Sequence, residues 1–417
     1  MRISIGWVIR PKFMKSGFGP RLKMRSVLSN GRIVWARRRL HQRSGLRFLR
    51  KLKTNIALSQ SHGRTRVGNL VWTGFSMSDR NTLRTDFLIR AGWDEAMLAD
   101  LAGDASNRRY FRLTRGNDRA VLMDAPPEKG EDVRPFVKIA QVLRSASLSA
   151  PRIMAEDPVS GFLLLEDLGD DLFARVLAED LAKEEELYRA ATDVLIELHK
   201  AGPMAKLAPY SVATMAELAG LAFDWYAVGL NGRDVRSPRT QFVMVFSDVL
   251  NTLDGLTDVL IQRDYHAENL LWLPEREGVA RVGLLDFQDA MAGHRSYDLV
   301  SLLQDARRDV SPDIETKMID HYIGATKIDP TRFKRGYFLM GLQRNLRIIG
   351  VFARLCLRDN KPHYVDLIPR VWAHMSRDLE EVNLPNLATI LSDSLPHPDA
   401  NTLEVLKAKC GTILHPS

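Results

Sequence analysis

Gln262-Arg263-Asp264-Tyr265-His266-Ala267-Glu268-Asn269 runs on through Leu270-Leu271-Trp272-Leu273, a polar turn at 275–278, and Val282-Gly283-Leu284-Leu285-Asp286-Phe287-Gln288. Two apolar runs joined by a turn predict an antiparallel hairpin. The loop carrying Asp264 and Asn269 leads into the first strand, and the second strand ends at Asp286. Hairpin geometry therefore collects Asp264, Asn269 and Asp286 at one end. Taken singly, Asp264 reads equally well as a helix cap, Asn269 as a turn residue and Asp286 as a strand end. Taken together they bring three oxygen-bearing side chains to one point. That is ligand chemistry for Mg²⁺, which takes one or two carboxylates and fills its shell with phosphate oxygens and water.

Upstream of this hairpin the pattern is mixed. Asp79 can cap a helix carrying Leu83, Phe87 and Leu88. Residues 109–114 and 119–123 alternate as two strands across the turn Gly116-Asn117-Asp118, and Pro126-Pro127 ends the second. A helix is expected over about 131–147, with Val133, Phe136, Val137, Ala140 and Leu143 on one side. Short strands follow at 151–155 and 162–165. Beyond Asp167-Leu168-Gly169-Asp170 the periodicity is helical, over 183–200 and then roughly 211–228, 238–258, 297–306, 311–324, 331–356 and 362–382. The outline is an α+β chain in two lobes: a β-rich small lobe at 79–168, a larger α-rich lobe at 169–395, and a tail at 396–417.

The 417 residues are 45% hydrophobic and 26% charged, an ordinary globular balance. No apolar run reaches the ~18 residues that span a bilayer. Two cysteines, Cys356 and Cys410, exclude a disulfide scaffold and suit a reducing, cytoplasmic setting. The formal charge of +8 hides an asymmetry. Of the 59 Lys and Arg, 18 fall in residues 1–78, which hold no Asp or Glu; 41 basic residues then face 51 acidic ones in 79–417. Disorder is the expectation for 1–78. Four readings of it stay open: a solvated tail, a start codon placed too early, an Arg-rich targeting segment, or a contact with an anionic surface. Nucleic acid is not an expected partner of the folded body, and nothing sets an oligomeric state.

The loop–hairpin set resembles the Asp…Asn catalytic loop and later metal-binding Asp of the protein-kinase-like fold, more closely its aminoglycoside and choline kinase branch. That resemblance makes Asp264 the base for the substrate hydroxyl, Asn269 and Asp286 the Mg²⁺ ligands, and Asp298, in Tyr297-Asp298-Leu299-Val300, a brace for the loop. It also points to Gly103-Asp104-Ala105-Ser106-Asn107-Arg108-Arg109-Tyr110 as the cover over the nucleotide phosphates. Ser106, Asn107, Arg108 and Arg109 are the candidates there, although such a loop also reads as a solvated turn. Glu166, Asp167 and Leu168 fall at the lobe joint where the backbone meets adenine, with a plain linker as the competing reading. No G-x-x-x-x-G-K-[ST] element occurs.

The ordered strings sharpen the resemblance. Gly-Asp-Ala-Ser with Arg-Arg-Tyr-Phe-Arg, Leu-Met-Asp-Ala-Pro-Pro-Glu (122–128), Gly-Phe-Leu-Leu-Leu-Glu-Asp-Leu-Gly (161–169), Gly-Leu-Leu-Asp-Phe-Gln-Asp-Ala (283–290) and Leu-Gln-Arg-Asn-Leu-Arg-Ile-Ile-Gly (342–350) are similar to the bacterial anomeric kinases of N-acetylmuramate and N-acetylglucosamine, over about residues 80–395. The resemblance implies transfer of the ATP γ-phosphoryl group to a sugar C1 hydroxyl in cell-wall sugar recycling. Alternatives within the fold are aminoglycoside, choline or homoserine kinases. The place of the usual phosphate-binding Lys holds Met123, which leaves a non-catalytic nucleotide-binding scaffold as a further reading; Glu131 and Asp132 are the acids nearest the usual partner Glu. His266 and Glu268 are read as sugar contacts or loop packing, Arg307-Arg308-Asp309 as a solvated charge run or a lining of the acceptor side, and Arg344 and Arg347 as closing their helix onto the catalytic loop rather than touching substrate.

Overall fold

The computed structural model describes residues 77–101, 107–200, 202, 207–231 and 235–413, together with the backbone of 27–29 and 32–34. The chain divides into two compact units, 1–74 and 75–417. In the first, β1 (Val27–Ser29) pairs antiparallel with β2 (Arg32–Val34). Otherwise the expectations for the basic leader, like the candidate Ser106, lie outside the described residues.

The second unit opens with α1 (Met77–Arg90), which begins before Asp79 rather than at it. A five-stranded antiparallel sheet follows, in the order β3 (Met97–Leu101), β4 (Arg109–Arg115), β5 (Asp118–Asp124), β7 (Phe162–Glu166) and β6 (Ile153–Asp157). The predicted 109–123 hairpin is the β4–β5 pair, with Tyr110 opposite Met123 and Arg112 opposite Val121. Edge strand β3 escaped the sequence reading because four of its five side chains are exposed, so it shows no alternation. Strand periodicity divides the sheet's two faces. Phe111, Leu113, Ala120, Leu122, Phe162 and Leu164 pack with Phe87, Leu88 and Trp93 on one side. Met123, Leu163 and Leu165 join the main core on the other, with Phe136 and Leu143 of α2 (Arg134–Ser145).

The helical part begins with α3 (Phe173–Glu179), α4 (Glu184–Lys200) and α5 (Val212–Ala219), then a wide π turn at Ala222–Ala227 that leads into α6 (Val228–Asn231). Next, α7 (Arg236–Leu250) stops eight residues short of its expected end. Two small hairpins follow. One, absent from the sequence reading, pairs β8 (Val259–Ile261) with β11 (Met291–Gly293); the other pairs β9 (Leu270–Trp272) with β10 (Val282–Leu284). The chain ends in α8 (Tyr297–Leu303), α9 (Pro312–Thr326), α10 (Pro330–Leu357), α11 (Ile368–Val382), α12 (Pro385–Ser394) and α13 (Ala400–Ala408). Helix α10 spans 28 residues, about 42 Å at 1.5 Å per residue. It is buried nearly all round and forms the spine of this part. No helix among the described residues is long and apolar enough to cross a membrane.

Candidate active site

A cavity of about 530 Å³ opens between the sheet and the helices. Its lining mixes apolar side chains, among them Val121, Phe136, Pro151, Leu165, Leu168 and Leu271, with a polar group made of Asp264, His266, Asn269, Asp286, Arg344 and Arg347.

The polar group is built on the two small hairpins. Strand β8 delivers the chain to Gln262 and Arg263, where Arg263 turns with φ +76°. A left-handed non-glycine residue is strained and persists only where its surroundings hold it. Three observations supply the hold. The fully buried Asp298 carboxylate accepts the Gln262 backbone N–H at 2.6 Å and the Arg263 N–H at 2.9 Å. The Arg344 guanidinium donates to the Arg263 carbonyl at 2.9 Å. The Arg263 guanidinium lies over the Tyr210 ring, 5.6 Å from its centroid. Burial pushes Asp298 up to about 6, against the two backbone N–H groups that oppose it. Tyr265 is buried beneath the loop, its hydroxyl donating to the Ala191 carbonyl at 2.8 Å. Asp264 is thereby presented to the cavity. Burial alone would raise its carboxyl, but the positive charges of Arg347, Arg344 and Arg263 outweigh burial and hold it below its ordinary value.

Pairing of Leu270 with Leu284 sets Asn269 beside Leu285, whose N–H donates to the Asn269 carbonyl at 3.0 Å. The Asn269 side-chain NH₂ donates to the Asp264 carbonyl at 2.8 Å, which leaves Oδ1 as that amide's acceptor. Asp286 follows β10 by two residues, at φ +54°, and accepts Gln288 Nε2 at 2.5 Å. Asp264, Asn269 and Asp286 all reach the same cavity. Among the described residues no three of His, Cys, Asp and Glu cluster as a self-sufficient metal centre. One carboxylate and one amide oxygen instead fit a hard cation that draws its other ligands from phosphate and water. His266 lies beside them, its Nε2 3.3 Å from the Asn269 amide nitrogen. Burial lowers it to about 4, so it is a neutral imidazole.

The other sequence candidates separate. Asn107 and Arg108 sit on Glu131: the Asn107 N–H at 3.2 Å and Arg108 Nε at 2.9 Å. Neither they nor Arg109 line the cavity. Among the described residues the small lobe's cavity arginine is Arg112, which the sequence reading missed; strand periodicity places it on the same face as Tyr110, but does not say that this face meets a cavity. It bridges to Asp167 and Asp170 of the joint, 2.7 Å from each. Met123, only 1% exposed, is packed in the core on that face. At the joint Glu166, Asp167 and Leu168 line the cavity, with Glu166 bound to Arg276 at 2.9 Å. The charge run at 307–309 is not simply solvated. Arg307 lines the cavity and pairs with Glu268 at 2.9 Å. Arg308 binds Tyr188 and Glu184 on α4, and Asp309 binds Arg370. Arg344 and Arg347 both line the cavity; Arg344 also braces the loop, whereas Arg347 bonds the Tyr297 hydroxyl of α8.

A sheet lobe and a helical lobe that meet at an Asp–Asn loop and a second Asp define an alcohol-acceptor phosphotransferase of the protein-kinase-like fold. The phosphotransferase enzyme family model matches residues 98–334, and the chain belongs to that family. It is 37% identical over 338 residues to the N-acetylmuramate/N-acetylglucosamine kinase of Caulobacter vibrioides, covering 72% of this chain and 92% of that one. To the Pseudomonas aeruginosa protein of the same name it is 36% identical, covering 75% and 93%. A Plasmodium vivax ethanolamine kinase, 15% identical, shares the fold with a TM-score of 0.51 over 76% of this chain and 91% of that one.

Proposed function

We propose that the protein transfers the γ-phosphoryl group of ATP to the anomeric C1 hydroxyl of an amino sugar, N-acetylmuramate or N-acetylglucosamine, as a step in reuse of cell-wall sugars. The observation that carries this reading is the convergence of Asp264, Asn269 and Asp286 in one cavity of a chain more than 35% identical to kinases named for those sugars. The apolar side chains Val121, Leu165, Leu168 and Leu271 would suit an adenine ring, with Glu166 and Leu168 at the joint beside it. Asn269 and Asp286 would hold Mg²⁺, which would neutralise charge on the phosphate oxygens.

Asp264 orients the acceptor hydroxyl and takes its proton as the oxygen attacks phosphorus. An anomeric hydroxyl is more acidic than an ordinary alcohol, so a carboxylate held ionised by three arginines is basic enough to orient it and accept the proton late in the transfer. Positioning supplies most of the rate. Asp298, Arg344 and the neutral His266 position the loop without entering the chemistry. ADP release with ATP, Mg²⁺ and each sugar tests the reading. Sugar-dependent ADP formation should fall about 10³-fold in Asp264→Ala, within the range of general-base loss. Sugar-dependent turnover that survives the substitution rejects the assignment.

A further inference from the structure

Among the described residues five arginines line the cavity: Arg112, Arg175, Arg307, Arg344 and Arg347. Four are committed to the protein. Arg112 is bound to Asp167 and Asp170. Arg175 donates to the Asp170 carbonyl at 3.3 Å and lies 4.0 Å from its carboxylate. Arg307 is bound to Glu268, and Arg344 to the Arg263 carbonyl. Arg347 differs. Its NH1 meets only the Tyr297 hydroxyl, at 3.3 Å. Like Arg344 it makes no ion pair with a carboxylate among the described residues, but it lacks the 2.9 Å bond that ties Arg344 to the loop. It therefore brings a guanidinium without a close partner to the wall next to the base, its charge balanced there in part by Asp264.

What surrounds Arg347 is equally specific. Arg344, Arg347, Ile348, Val351 and Phe352 recur on α10 at spacings of three and four, so they form one stripe, and all five reach the cavity. An apolar strip thus continues directly from the cation. These residues also lie beyond the 98–334 stretch shared with the wider phosphotransferase family, as expected of a wall that selects an acceptor rather than one that handles phosphate.

The two sugars in the relatives' names differ by one group. N-acetylmuramate carries a lactyl ether, a carboxylate with a methyl beside it; N-acetylglucosamine has a free hydroxyl there. A carboxylate entering a partly enclosed cavity needs a cation partner, and a planar guanidinium can grip both of its oxygens. We infer that Arg347 is the specificity-determining residue that takes the lactyl carboxylate of N-acetylmuramate, with Ile348 and Val351 under the lactyl methyl. The inference rests on the amino-sugar reading of the site.

The test is kcat/KM for the two sugars in the wild-type protein, Arg347→Met and Arg347→Lys. The ratio of N-acetylmuramate to N-acetylglucosamine should fall about 10-fold or more in Arg347→Met, beyond any loss that both sugars share through Asp264, and recover in part in Arg347→Lys. A second arm leaves the protein intact: the methyl ester of N-acetylmuramate, with its charge removed, should lose about the same factor in the wild-type protein. Equal losses on both sugars would assign Arg347 to the shared phosphoryl chemistry and overturn the inference. An ester used as well as the acid would overturn it too. A wild-type protein that phosphorylates neither sugar would remove the amino-sugar reading itself, an outcome distinct from both.

Discussion

Asp298 shows how one side chain fixes the reacting geometry from behind. Its two carboxylate oxygens satisfy the two backbone N–H groups that precede Asp264, and it reaches no solvent. Asp298→Ala would leave both donors unpaired at a cost of about 1–3 kcal/mol each, and would release the left-handed Arg263 turn. The expected result is a Tm lowered by several degrees together with a kcat reduced more than about 10-fold, with Asp264 itself intact. An unchanged kcat in a destabilised protein would show that the brace is structural only. At this scale the sequence was most informative where chemistry and spacing coincide. Asp264, Asn269 and Asp286 were legible because a hairpin leaves few ways to separate them. Arg112 and Arg347 were not, because an arginine on a strand or helix reads alike whether a carboxylate neutralises it or a cavity receives it.

Elements were legible where burial was one-sided. Strand β4 and helix α4 alternate or stripe because one face is more deeply buried than the other, while β7, covered on both faces, reads as a continuous apolar run. The edge strand β3, exposed at four of five positions, and the three-residue strands β8 and β11 carry no such signal. Helix α10 is apolar on most sides because neighbours surround it, so its function-bearing stripe is hidden in its own pattern. Where α10 crosses the π turn, Gly350 permits direct backbone contact. A Cβ there would overlap the Leu221 carbonyl group and stand 2.6 Å from the Ala222 nitrogen. Gly350→Ala should therefore destabilise the protein by about 3 kcal/mol, read from denaturant unfolding, since backbone cannot yield as a side chain can. A change within about 0.5 kcal/mol would show that the crossing is loosely packed.

For the whole molecule, the buried histidines set the response to acid. Burial lowers His199 to about 3 and His294 and His266 to about 4. Each is neutral in the folded chain, while the unfolded chain takes up its proton near 6.5. Their contribution is complete above about 6.5 and is lost as pH falls through about 4. Asp298, raised to about 6, works oppositely, as do Asp378 and Asp224, which burial also raises; His374, lowered by burial, adds to the histidine side, whose shifts span most of the pH 7 to 4.5 window. Tm should fall steadily from pH 7 to pH 4.5; a flat or rising Tm would contradict the burial of these rings. The two-lobed plan was legible from the switch between period-2 and helical patterns near 166–170. Which arginines face the cavity depends on lobe packing that no local pattern encodes. The central claim, transfer to a sugar C1 oxygen by Asp264, is tested most directly by 31P NMR of the product formed from ATP, Mg²⁺ and amino sugar. A phosphorus signal coupled to the anomeric proton, absent with Asp264→Ala, is predicted. Phosphate on any other sugar oxygen, or the same product from the variant at the wild-type rate, would contradict the account.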